Sequence, residues 1–323
     1  MYTLWVPTML SKILVYLTHP EVEAWNFKSR HFDSLQKAFP KSEIVHCPNS
    51  KAFLDQLPEA DAVIVWFFKK NWLELSKNLK LIATPAAGKN WIDVTPTNSL
   101  EISFGKFHGV MIAESVVGAV LHFCKAFTFS KKMQMQRKWA RVKLASKISS
   151  LMGAHVVILG FGNIGIEIGR KLKPFGCSIT GIKRSSIKKP DYFDDKDKLL
   201  HPDQMEPDLK KADHLIFALP GGPETTGIFS ETHFNALPKR CFLYNIGRGN
   251  VYEESDLVKA LSSNKVAGAY LDVFEEEPLA ENSLLWDMEN VLIQPHLSAA
   301  SPQYLDLFIE ELVTKLRKNS YTP

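Results

Sequence analysis

Three short segments carry ionisable side chains just past apolar runs, and their residue types suit proton transfer beside an anion grip. They are Tyr244-Asn245-Ile246-Gly247-Arg248-Gly249-Asn250, Leu271-Asp272-Val273-Phe274-Glu275-Glu276-Glu277-Pro278 and Ile293-Gln294-Pro295-His296-Leu297-Ser298. Arg248 offers a planar fork that grips a carboxylate and an adjacent carbonyl oxygen. His296 is of the one type that titrates near neutrality, and it can hand over a proton when charged. An acid such as Glu277 beside it favours the charged ring and fixes its orientation. Together these types suit hydride reduction of a carbonyl next to a carboxylate, where charge builds on an oxygen that must then be protonated. Singly each is ordinary, since a histidine after proline or an acidic turn is usually a surface feature. Their succession after neighbouring strands gives them chemical meaning, because the carboxyl ends of strands form the ligand crevice of an open α/β sheet.

A fourth segment supplies the redox partner's seat. Val156–Leu159 runs into Gly160-Phe161-Gly162-Asn163-Ile164-Gly165, a GxGxxG sequence. Ile164, Ile168 and Leu172 follow at helical spacing, and Gly176 sits where that helix can end. A lone GxGxxG is weak, but strand, glycine turn and helix in this order are the context a dinucleotide site demands. The glycines allow a tight turn, close approach to pyrophosphate and close helix packing, and the helix N-terminus offers free N–H groups. The end of the next strand reads Gly181-Ile182-Lys183-Arg184-Ser185-Ser186. An NAD site puts an acid about there for the ribose 2′-hydroxyl. Lys183, eighteen residues past Gly165, with Arg184 and Ser185 suits a 2′-phosphate instead. The predicted cofactor is therefore NADP(H), with NAD(H) usable.

These segments need a scaffold of alternating strands and helices. Ile13–Leu17, Ile44–Cys47, Ala62–Trp66 and Leu81–Thr84 read as buried strands, with helix-like spacing over Ser29–Phe39 and Asn71–Asn78. Ala113 to Phe129 reads as one long buried helix. A second series follows at His155–Gly160, Ser178–Ile182, His214–Leu219, Phe242–Ile246, Ala267–Leu271 and Val291–Ile293, and Pro302–Lys318 closes the chain as a helix. Such βαβα alternation implies parallel sheets covered by helices on both faces, an α/β fold. At 323 residues two domains are expected.

These segments, with Leu219-Pro220-Gly221-Gly222-Pro223-Glu224-Thr225-Thr226-Gly227, resemble the D-isomer-specific 2-hydroxyacid dehydrogenase family, in its glyoxylate/hydroxypyruvate reductase-like branch. The resemblance covers nearly the whole chain from about Lys12. It implies two doubly wound parallel-sheet domains: a flavodoxin-like substrate domain over 12–110 plus 296–323, and a Rossmann dinucleotide domain over 111–295. The family's arginine, glutamate and histidine fall on Arg248, Glu277 and His296. Cofactor contacts fall on Leu219, Pro220, Thr225, Ile246 and Gly247, and Asp272 and Ser298 match positions that meet the nicotinamide carboxamide. Ala86-Ala87-Gly88-Lys89 matches the loop whose N–H groups hold the substrate carboxylate, so Ala87, Gly88 and Lys89 are substrate-binding candidates with Arg248. The implied reaction interconverts a small 2-oxo acid and its D-2-hydroxy acid, in an active site between two closing domains. A dinucleotide-sensing regulatory protein on the same fold is the competing reading.

Some positions depart from the family pattern. Lys89 either draws an acidic substrate or faces solvent. Trp66-Phe67-Phe68-Lys69-Lys70-Asn71-Trp72 is unusually aromatic, suiting packing beneath a loop more than a pocket wall. Gly221-Gly222 replaces bulkier residues, which predicts more room near the cofactor ribose. Gly247 stands where alanine is usual and should keep the backbone permissive.

Composition excludes other classes. With 45% apolar and 23% charged residues the chain suits a globular protein, and a net charge of +4 gives no case for a nucleic-acid partner. The basic run Lys131, Lys132, Arg137, Lys138, Arg141 and Lys143 reads as a solvated helix or arm around Trp139. Cys47, Cys124, Cys177 and Cys241 are far apart without a CxxC pair, which argues against a metal site or disulfides and for free thiols in the cytoplasm. No apolar run reaches membrane-spanning length, so no membrane partner is expected. Residues 1–11 read as a leader, with Met9 as an alternative start, and lack a basic n-region or cleavage site. The apolar stretch Ala113–Phe129 exceeds what one domain needs, which predicts a homodimer.

Overall fold

The computed structural model describes residues 10–185 and 188–320; most of the expected leader (1–9) and Ser186 lie outside them. The chain forms two compact units, one from the residues up to His108 together with those from Ala300 onward, the other from Gly109–Ala299.

The first unit holds strands β1 (Lys12–Tyr16), β2 (Glu43–His46), β3 (Ala62–Val65), β4 (Leu81–Thr84) and β5 (Glu101–Phe104), with helices α1 (Ser29–Ala38) and α2 (Ser50–Gln56). The strands are all parallel in the order β2-β1-β3-β4-β5, the flavodoxin-like arrangement. Leu14, Val63, Val65 and Ile82 alternate onto one face and meet Phe53 of α2 and Trp72. Phe68 and Trp72 are buried in this core and the half-buried Phe67 packs against it, so these aromatics serve packing. That burial also explains why Asn71–Asn78 is not the expected helix: the chain makes a 3-10 turn over Lys70–Leu75 that tucks Trp72 inward.

In the second unit α3 (Gly109–Cys124) comes first. Ile112, Val116, Val120 and Cys124 recur on one face and are buried against the sheet and the helix of the glycine loop. The long helix expected to reach Phe129 breaks earlier, at Ala126 in a left-handed conformation (φ 52°), and α4 (Phe127–Met135) and α5 (Arg141–Ala145) follow. The surplus apolar surface therefore lies past α3, on Phe127, Met135, Trp139, Val142 and Met152, which are all exposed. No single helix among the described residues is long and apolar enough to cross a membrane.

Seven parallel strands follow: β6 (His155–Leu159), β7 (Ser178–Ile182), β8 (Lys198–Leu200), β9 (His214–Phe217), β10 (Phe242–Asn245), β11 (Gly268–Leu271) and β12 (Val291–Ile293). Between them lie α6 (Asn163–Leu172), α7 (Glu206–Leu209), α8 (Glu231–Ala236) and α9 (Glu254–Ser262). Their order, β12-β11-β10-β9-β6-β7-β8, reverses direction beside β6, which is the Rossmann switch point. Val156 and Ile158 face the α3–α6 layer, whereas Val157 and Leu159 face Phe234, Leu257 and Leu261 of α8 and α9. Both faces are thus covered, and each such buried aliphatic contributes roughly 1.5–3 kcal/mol.

The boundary between units falls after Ala299, not before His296, because the main chain there is tied to β11's exit. His296 N donates to the Asp272 carbonyl (2.9 Å), and Leu297 N and Ser298 N donate to Asp272 Oδ1 (2.8 and 2.9 Å). The last helix, α10 (Tyr304–Ser320), returns to the first unit, where Asp306 bridges Arg30 of α1 at 3.0 Å.

Candidate active site

The glycine loop meets three separate spatial demands. Gly160 has φ 94°, and a Cβ there would lie 2.4 Å from the Ala218 carbonyl oxygen of the neighbouring strand exit. A Cβ on Gly165 would lie 2.6 Å from the Gly160 carbonyl oxygen, so the helix seats directly on the turn. Gly162 has open space on its side-chain face, the cradle a diphosphate needs, and α6 begins there with its first N–H groups free by helix geometry. The helix runs to Leu172, tightens over Lys173–Phe175, and ends at Gly176 with φ 81°.

A cavity of about 580 Å³ opens beside this loop. Gly160, Phe161, Gly162, Lys183, Arg184, Ser185, Leu219, Pro220 and Thr225 line it, so the exits of three strands, β6, β7 and β9, converge on one hollow. The Phe161 ring itself is buried against Gly181. Asn163, Ile164, Gly165, Ile246, Gly247, Asp272 and Ser298 are not part of its lining. The open Gly162 face, the helix terminus and the cationic rim together fit a dinucleotide.

Arg248 follows β10 on a turn built by Asn245, a residue the motifs did not single out. The buried Asn245 side chain accepts from Gly247 N (3.1 Å) and donates to the Arg248 carbonyl (3.0 Å) and Tyr252 Oη (3.0 Å). An asparagine two residues before a turn commonly bonds in this way, so its signal was present in the sequence. Arg248 Nη1 donates to the Gly247 carbonyl at 2.7 Å. The expected permissive role of Gly247 is instead a need for space: a Cβ would lie 2.6 Å from the Leu219 carbonyl oxygen. Likewise Gly221 faces the Arg248 side chain, and Gly222 faces the Glu224 carboxylate, so the nearest groups to both are protein side chains.

His296 and Glu277 come together after β12 and β11. His296 Nδ1 lies 2.7 Å from Glu277 Oε2, while Glu277 Oε1 accepts from Phe274 N at 3.1 Å. His296 adopts φ 54°, held by bonds from its N–H to the Asp272 and Gln294 carbonyls. With Nδ1 paired, Nε2 is the nitrogen left to exchange a proton. The hydrogen bond to Glu277, then its charge, raises the His296 pKa above the usual imidazole value, against burial and the Arg248 charge. Burial would lift Glu277, but the His296 hydrogen bond and charge more than offset it and leave its carboxyl lowered, with Arg248 adding in the same sense. Burial raises Asp272, opposed chiefly by His296. The Ser298 hydroxyl is buried and bonded to Tyr270 Oη at 2.7 Å.

In the first unit the loop after β4 begins with Ala86 N donating to Thr84 Oγ1 at 3.2 Å. Among the described residues the N–H groups of Ala87, Gly88 and Lys89 donate to nothing, and Lys89 is exposed and opens a 3-10 turn. An anion could be received there.

Comparison with known proteins bears on the same segments. A family model described as "D-isomer specific 2-hydroxyacid dehydrogenase, NAD binding domain" matches residues 117–298. A glyoxylate reductase of Thermofilum pendens is 28% identical over 270 residues, spanning 79% of this chain and 76% of that protein. Two solved structures superpose over nearly the full length. An NADPH-dependent glyoxylate/hydroxypyruvate reductase from Sinorhizobium meliloti, in complex with NADP and sulfate, has TM-score 0.76 and 25% identity over 97% of this chain and 96% of that one. A D-isomer specific 2-hydroxyacid dehydrogenase family protein from Aeromonas salmonicida has TM-score 0.79 and 26% identity over 98% and 97%. With the glycine cradle, the switch-point sheet and the family match falling on one stretch of chain, this protein belongs to the D-isomer specific 2-hydroxyacid dehydrogenase family, oxidoreductases that move a hydride between a nicotinamide cofactor and a small 2-hydroxy acid.

Proposed function

We propose that this chain reduces a compact 2-oxo acid, of the glyoxylate or hydroxypyruvate type, to its D-2-hydroxy acid with NADPH as preferred donor. The observation that carries the reading is the 2.7 Å His296–Glu277 pair, whose two members both feel the charge of Arg248. Arg248 grips the substrate carboxylate and the 2-oxo oxygen, orienting the carbonyl. Ala87, Gly88 and Lys89 add N–H donors for the carboxylate. His296 gives its Nε2 proton to the developing alkoxide, and Glu277 keeps that ring charged and aligned. The bound nicotinamide supplies the hydride. Gly160, Phe161, Gly162 and the N–H groups of Asn163, Ile164 and Gly165 hold the diphosphate. Lys183, Arg184 and Ser185 receive the 2′-phosphate, Leu219, Pro220 and Thr225 wall the ribose, and Ile246, Gly247, Asp272 and Ser298 border the nicotinamide.

The test is cofactor oxidation with a panel of 2-oxo acids, run with NADPH and NADH side by side. Charge-assisted bonds to a 2′-phosphate should favour NADPH by at least about ten-fold in kcat/KM. Equal or better turnover with NADH removes the preference. Tight NADPH binding without turnover of any acid favours the sensor instead.

We further assign a homodimer, formed through the arm that carries the exposed Met135, Trp139 and Val142, because three large apolar side chains left to solvent on one short stretch suit burial against a second copy. Light scattering should give twice the chain mass, and Trp139→Glu should shift it toward one; a monomeric wild type overturns the assignment. The four cysteines are buried free thiols, in keeping with a reducing cytoplasm.

A further inference from the structure

Arg184, the cation assigned above to the 2′-phosphate, is already paired. Its Nη2 lies 3.0 Å from Oε1 of Glu224, which comes from the loop after β9 and lines the same cavity. Neither the glycine motif nor the cation pair draws attention to this acid. Its loop is fixed: Thr225 N and Thr226 N both donate to the Gly222 carbonyl (3.0 and 3.1 Å), and Thr225 Oγ1 donates to the Pro220 carbonyl (2.8 Å). Gly222 supplies the room for the carboxylate, since a Cβ there would lie 2.9 Å from Glu224 Oε2. Lys183, by contrast, makes no ion pair among the described residues. One cation of the rim is thus free while its neighbour is held by an internal anion.

We propose that Glu224 is a built-in competitor of the cofactor's 2′-phosphate, occupying Arg184 when no dinucleotide is bound and yielding it when one arrives. The proposal rests on the reading of Lys183, Arg184 and Ser185 as the 2′-phosphate seat. A phosphate monoester carries about −1.5 to −2 charge near neutral pH and three acceptor oxygens, so it outbids a single carboxylate for the guanidinium. The pair it must break is exposed on both sides, with 60% and 51% of the side chains accessible. Such a pair shifts an equilibrium by no more than about five-fold. Once displaced, Glu224 stays on its fixed loop as a like charge near the phosphate. Both effects weaken the hold on a 2′-phosphorylated dinucleotide and hasten its departure, and neither acts on NAD(H), which has no phosphate there. Glu224 is thereby a specificity-setting residue that trims the preference its neighbours create.

The experiment is a fluorescence titration of NADPH and of NADH with the full chain, its Glu224→Gln and Arg184→Met variants and the double variant, at low and high salt. Glu224→Gln should tighten NADPH about three- to five-fold and slow its release to match, with NADH changed by less than about two-fold. The gain should shrink in the Arg184→Met background and at about 1 M salt. Unchanged NADPH binding in Glu224→Gln, with Arg184→Met still selectively weakening NADPH, overturns the competitor and leaves the cofactor reading intact. Loss of NADH affinity in Glu224→Gln overturns it too, since the acid would then be accepting from a ribose 2′-hydroxyl. If Arg184→Met fails to weaken NADPH selectively, the cofactor reading falls and the competitor with it.

Discussion

Replacing His296 by glutamine should lower kcat for 2-oxo acid reduction by about 10²–10⁴ while cofactor affinity is kept. Glutamine retains bulk and can still bond Glu277, but it carries no dissociable proton to give the alkoxide. The wild-type rate should also fall as pH rises through the His296 pKa, because the charged ring is the proposed acid and that pKa stands above the usual imidazole value. Glu277→Gln removes the leading cause of the elevation, so the falling limb of kcat/KM should move to lower pH. Steady-state profiles for the three proteins, with NADPH titrations as the folding control, check both parts. Near-normal turnover of His296→Gln would sink the assignment.

Gly249→Ala should cost about 3 kcal/mol or more of stability, a drop in Tm on the order of 10 °C, together with most of the activity. The added Cβ would lie 1.9 Å from both C and O of Phe274 and 2.3 Å from Glu275 N. These are main-chain atoms, which cannot swing aside as a side chain would. Phe274 N is also the donor to Glu277 Oε1, so the displaced segment is the one that aims the acid at His296, while Arg248 sits beside the mutated residue. Calorimetry with Gly162→Ala as the comparison measures this, since a Cβ at Gly162 meets nothing within 4 Å and should leave Tm unchanged. An unaltered Tm in Gly249→Ala would refute the claim of close approach.

What the sequence made legible follows from where the signals live. Buried parallel strands are runs such as Val156–Leu159, apolar on both faces, and they announce themselves. Edge strands divide: β2 and β12 were expected, whereas β5 (Glu-Ile-Ser-Phe) and the three-residue β8 (Lys-Leu-Leu) are short and partly polar, and neither was expected. The break of the long helix at Ala126 was hidden because neither glycine nor proline marks it. The Lys131–Lys143 run does form the expected exposed arm, split between two short helices. At the site, residue type and strand-end position singled out Glu277 and His296, which the fold does bring to 2.7 Å. Close approaches between backbones far apart in sequence, Gly249 against Phe274 and Gly247 against Leu219, have no local signature at all.

The strand order of the second unit separates two jobs. The residues proposed to choose the dinucleotide follow β6, β7 and β9, whereas Arg248, Glu277 and His296, proposed to meet the reacting acid, follow β10, β11 and β12, farther across the same sheet. Changes that exchange one reducing currency for another can accumulate on the first side without disturbing proton delivery on the other. A lineage, or a protein engineer, can therefore rewire which metabolic pool drives this enzyme while inheriting its carbonyl chemistry untouched.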